Sequence, residues 1–179
     1  MTKAAEARVK LSQHESLMIE ALRGLGWSDD EIIARVRSRE LPIDNSEFQF
    51  DYSELSDFDA GQPMLFESAL RNGYQMKFNT LGGIRCWISI KLDKEPEVSR
   101  VPGEESVTIA LTEAEKNQLI SVLSIGWTVA AASDGDGNTA NNSAINAEMQ
   151  SDVNTQNFKV TQTAADSLTL YKIVPTQRV

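Results

Sequence analysis

Apolar residues recur at helical spacing through Leu17, Met18, Ala21, Leu22 and Leu25, and Gly26 then offers a C-terminal cap, so the pattern predicts a helix ending there. A second helix follows at once. Ser28 with Glu31 has the spacing of a capping box, Asp29 and Asp30 suit a helix N-terminus, and Ile32, Ile33 and Val36 supply an apolar face. Pro42 ends it. Residues 1–40 are therefore expected to form a helical hairpin.

The period then changes. Phe48, Phe50 and Tyr52 alternate as a short strand would, inside a stretch that is otherwise acidic, and residues 41–62 are read as an acidic aromatic linker. From Pro63 onward a helix is expected over residues 65–72, capped by Gly73, with an alternating strand over residues 74–79. Gly82 and Gly83 suggest a turn, and residues 84–92 a second strand. In that hairpin Ile84, Cys86, Ile88, Ile90 and Leu92 share the apolar phase, which leaves Arg85, Trp87, Ser89 and Lys91 on the other face.

A similar order returns further on. Thr112 and Glu115 form a capping box for a helix over residues 112–125, Gly126 caps it, residues 127–132 form a strand, and residues 158–163 and 168–174 form a hairpin. The reading is thus an α+β protein: an N-terminal helical hairpin, the linker, then a domain over residues 63–179. That domain holds two α-β-β modules, residues 63–92 and 111–175, whose strands build an antiparallel sheet. Residues 93–105 and 133–154 read as loops, the second with room for a short helix over residues 144–150.

Charge sharpens this picture. The 179 residues carry a formal net charge of −9, and eight acids lie between Glu40 and Leu70 with no Lys or Arg among them. Such a balance opposes generic attraction to phosphate backbones. The lone cysteine, Cys86, cannot close an intramolecular disulfide and reads as a buried thiol. Neither a signal peptide nor a membrane span is expected, so the location predicted is cytoplasmic.

Chemistry-bearing motifs are sparse. One histidine, His14, and one cysteine in unrelated contexts argue against Cys-His catalysis, and no Gly-rich phosphate loop or zinc cluster appears, so no catalytic residue and no cofactor is expected. Asp134, Asp136 and Asn138 have the alternating oxygen ligands with which a calcium loop begins, but Thr139 stands where the turn needs Gly, and Ile145 where a bidentate Glu should be. A plain Asp/Gly turn accounts for that spacing.

Two short stretches carry resemblances. Leu25-Gly26-Trp27-Ser28-Asp29-Asp30-Glu31-Ile32-Ile33 resembles the turn of a helix-turn-helix or of a small ubiquitin-associated-type bundle, and no DNA-reading role is carried onto Arg35, Arg37 and Arg39. Residues 107–119 are similar to the strand-to-helix end of a family of transcriptional coactivators that bind single-stranded DNA on their sheet, although the acidity departs from that family.

Three functional expectations follow. The first is a non-catalytic accessory or inhibitory protein, for instance a phage or mobile-element antagonist of a host nucleic-acid-acting system. It would engage a basic surface of a protein partner through Asp51, Tyr52, Glu54, Asp57, Phe58 and Asp59. The second is single-stranded nucleic-acid binding on a sheet face made of Lys77, Arg85, Trp87 and Lys91. The third is a small enzyme or metal-binding protein using Asp134, Asp136 and Asn138.

Overall fold

Two capping boxes set the first helices. In the computed structural model, which describes residues 8–132 and 167–176, Ser12 Oγ accepts from Glu15 N at 3.1 Å while Glu15 Oε2 accepts from Ser12 N at 2.7 Å. Helix α1 (Gln13–Gly24) starts there, and α2 (Asp29–Ser38) starts at the equivalent Ser28–Glu31 box. The turn between them uses Gly26 at φ 86°, a left-handed position where a side chain would be strained. Leu17, Met18, Ile19 and Leu22 of α1 and Ile32, Ile33 and Val36 of α2 are buried, each worth roughly 1.5–3 kcal/mol relative to exposure. The expected hairpin is present, preceded by a short strand β1 (Val9–Leu11).

The acidic segment is not the strand-bearing linker expected. It is an irregular wrap followed by helix α3 (Ser53–Gly61), which leads into α4 (Pro63–Asn72). Phe50, Tyr52 and Leu55 join the same hydrophobic core as Leu17, Ile32, Ile88, Ile109 and Ile173.

The first expected β-hairpin is also corrected. Tyr74–Met76 is a strand, β2, but it pairs in parallel with β1, with Val9 opposite Tyr74 and Leu11 opposite Met76. Its expected partner is a helix, α5 (Leu81–Leu92). Thr80 caps that helix by accepting from Gly83 N at 3.0 Å, and the buried residues Ile84, Trp87 and Ile88 follow the helical spacing rather than the alternation of a strand. α5 lies against α1.

The remaining described residues form the sheet and one more helix. Strand β3 (Glu97–Ser99) falls in what was expected to be a loop and pairs antiparallel with β4 (Ser106–Leu111). Helix α6 (Glu113–Val122) follows the Thr112–Glu115 capping box, then β5 (Trp127–Ala131), and the last strand is β6 (Thr169–Pro175). The order is β3-β4-β6-β5, antiparallel throughout. Residues 158–163, expected to pair with β6, and the expected short helix over residues 144–150 lie outside the described residues. Val107, Ile109, Leu111, Tyr171 and Ile173 are buried, and α5 and α6 both contact β4. The protein is α+β, and no helix among the described residues is long and apolar enough to cross a membrane.

Candidate functional site

The acidic segment owes its shape to carboxylates bonding the nearby backbone. Asp44 accepts from Ser46 N at 2.9 Å and from Phe50 N at 2.7 Å, and Asp51 accepts from Ser53 N at 3.0 Å and Ser53 Oγ at 2.6 Å. These local turns replace a β ladder. The alternating aromatics become a stack: Phe48 and Phe50 are nearly parallel with centroids 5.5 Å apart, Phe50 and Tyr52 are 6.1 Å apart, and His14 of α1 meets Phe50 edge-on at 5.7 Å.

Between this wrap and the end of α2 lies an open groove of about 430 Å³, lined among others by Arg39, Pro42, Ile43, Asp44, Asp51 and Tyr52. Ile43 is 86% exposed. Partial burial pushes the Asp44 carboxyl up, but the N–H groups of Phe50 and Ser46 outweigh it and hold the group below the usual carboxylate range. Asp51 is held low by the Ser53 hydroxyl and amide. Burial, with the Asp44 charge, pushes the Tyr52 phenol up to about 12.

The six residues singled out for partner binding divide. Asp51 is exposed and lines the groove. Tyr52 lines it too, but its ring is buried. Glu54 and Asp57 are exposed; Glu54 lies 3.4 Å from His14 Nε2, and Asp57 pairs with Arg39 at 2.9 Å. Asp59 is buried and pairs with Arg37 at 3.3 Å, while the half-buried Phe58 meets Phe66 edge-on at 5.7 Å. These last two hold α3 to its own neighbours.

The four residues of the expected nucleic-acid face are not brought together on a sheet. Because residues 81–92 are helical, Trp87 points inward at 1% exposure, and its Nε1 donates to the Tyr74 hydroxyl at 3.1 Å. Arg85 is engaged by Glu95, and Lys91 lies 2.8 Å from Glu20 Oε2. Lys77 is exposed just past β2. The ring expected to sit among these cations, Trp87, is not displayed for a base to stack on.

A buried polar network escaped the sequence reading. Glu20, 3% exposed, accepts at Oε1 from the Tyr74 hydroxyl and from Arg23 Nη1, both at 2.8 Å. Arg23 also holds Asp29 at 2.7 Å and the Leu70 carbonyl at 3.0 Å. Burial and the Glu20 carboxylate push the Tyr74 phenol well above its ordinary value. The available signal was an acid beside the apolar stripe of α1 with an arginine one turn on.

Among the described residues no group of His, Cys, Asp and Glu could hold a metal ion. Asp134, Asp136 and Asn138 lie outside the described residues. No protein family, curated protein or solved structure matches this chain.

Proposed function

We propose that this chain is a non-catalytic binding protein that takes a basic, apolar-bearing segment of a protein partner into the groove between α2 and the wrap of residues 41–53. The observation that carries the reading is the pairing of Ile43, 86% exposed, with Asp44 and Asp51 along that groove, where neither carboxylate meets a Lys or Arg among the described residues. The one cation lining the groove among the described residues, Arg39, pairs with Asp57. An apolar anchor beside unopposed negative charge suits a Lys- or Arg-flanked hydrophobic side chain. Surfaces of that chemistry include the nucleic-acid-binding clefts of enzymes, and occupation of one would make this an inhibitor of the kind a phage or mobile element carries.

The test is fluorescence anisotropy with two labelled peptides of equal length, one alternating Leu with Lys and one alternating Leu with Glu. The basic peptide should bind, more weakly at higher salt, and the acidic peptide should not. Ile43→Ser and Asp51→Asn should each weaken binding while leaving the melting temperature nearly unchanged. Equal affinity for both peptides, or indifference to both substitutions, would remove the groove from consideration.

A further inference from the structure

A second cleft, independent of that groove, opens over the buried network between α1, β2, α5 and α6. It measures about 230 Å³ and is lined by Arg8, Glu20, Arg23, Lys91, Tyr74 and Trp87, with Gln118 and Val122 at its edge. Its charges do not balance. Among the described residues, Arg8, Arg23 and Lys91 are set against Glu20 and Arg23's partner Asp29, which leaves one positive charge over.

The surplus sits on groups with donors to spare. Four of the five N–H donors of Arg23 are engaged, Nε and Nη2 on Asp29, Nη1 on Glu20, and Nη2 also on the Leu70 carbonyl. Lys91 has three N–H donors and one neighbour in this cluster, Glu20 Oε2 at 2.8 Å. Arg8 gives Nη1 to the Ser121 carbonyl at 2.7 Å, and its exposed guanidinium has no other hydrogen-bond partner among the described residues.

We infer that this cleft binds a small organic carboxylate, held between Arg8 and Lys91. A guanidinium fork matches the two oxygens of a carboxylate. One negative charge brings the cluster to neutrality, whereas a phosphate dianion would overshoot it. The body of the ligand would lie against Tyr74, Trp87 and Val122, and the small volume restricts it to a few heavy atoms.

The Trp87 indole gives a local readout, because its N–H is bonded to a Tyr74 hydroxyl at the floor of the cleft. Titration of the full chain with sodium propionate, followed on the three tryptophan indole resonances and assigned with Trp87→Phe, should move the Trp87 signal saturably. Sodium chloride at equal ionic strength should not move it. Arg8→Gln, an exposed substitution, should raise the propionate Kd about tenfold, the effect of losing one charge-assisted contact. Lys91→Gln should do the same if it folds, and Lys91→Arg should retain binding. A resonance that chloride moves equally, an Arg8→Gln affinity equal to wild type, or tighter binding of inorganic phosphate than of propionate would each overturn the inference.

Discussion

The Tyr74 hydroxyl stands between two buried groups, accepting from Trp87 Nε1 at 3.1 Å and donating to Glu20 at 2.8 Å. Removing it leaves the indole N–H without an acceptor and takes a donor from a carboxylate that has almost no water to replace it. Tyr74→Phe should therefore cost about 1–3 kcal/mol in urea unfolding, with a loss below about 0.5 kcal/mol contradicting the network. Asp44 makes a pH prediction. Its folded value lies below its ordinary one, so the stabilisation it gives is complete above about pH 4 and is lost as pH falls through the lower folded value. The Phe50 amide resonance should shift over that acid range, and Asp44→Asn should abolish the shift. A midpoint above the ordinary carboxylate range would reverse the sign and refute the bond. Neither residue could be assigned from the sequence, since a Tyr at a strand start and an Asp in an acidic run carry no sign of a partner 54 or 6 positions away.

At the scale of elements, the helices with local stop and start signals were legible and α5 was not. The Ser28–Glu31 and Thr112–Glu115 boxes each predicted a helix that forms. In α5 the run Ile84, Cys86, Ile88, Ile90 satisfies a period of two, and the Gly pair looked like a turn, while Ile84, Trp87 and Ile88 equally satisfy a helix. Packing against α1 decided between them, which is tertiary information. The two glycines now separate the readings experimentally. At Gly82 a Cβ would meet only Thr80 Oγ1 at 4.0 Å, so Gly82→Ala in the first turn of a helix should stabilise by up to about 1 kcal/mol. At Gly83 a Cβ would overlap the Gln13 side chain, whose Oε1 accepts from Thr80 N at 2.9 Å. Gly83→Ala must displace that side chain and should thus stabilise less than Gly82→Ala or lower the thermal midpoint, and equal effects at both glycines would argue for a turn.

For the whole molecule, composition and alternation sufficed for the α+β class, and the local patterns sufficed for the helical hairpin. The long-range pairings were out of reach. Nothing in Val9-Lys10-Leu11 announces that its partner is Tyr74-Gln75-Met76, because three residues of alternation fit any sheet edge. The acidic run was legible as unusual but not as core. Its charge pattern hid that Phe50, Tyr52 and Leu55 are buried while five of its eight carboxylates are tied to Arg37, Arg39, Arg71 and the local backbone.

The strand order β3-β4-β6-β5 also dictates a schedule. Among the described strands, the one that separates β4 from β5 is made after both, so during synthesis β4 has only β3 of these beside it and β5 has none of them until Thr169–Pro175 emerges. The described sheet is therefore completed by insertion of β6 between two strands made earlier, and pairings so far apart in sequence are slow to form. Pulse-labelled hydrogen exchange during refolding should find the amides of β5 and β6 becoming protected together and later than those of α1 and α2. Early protection of β5 alone would mean that another stretch of the chain shelters it before β6 arrives.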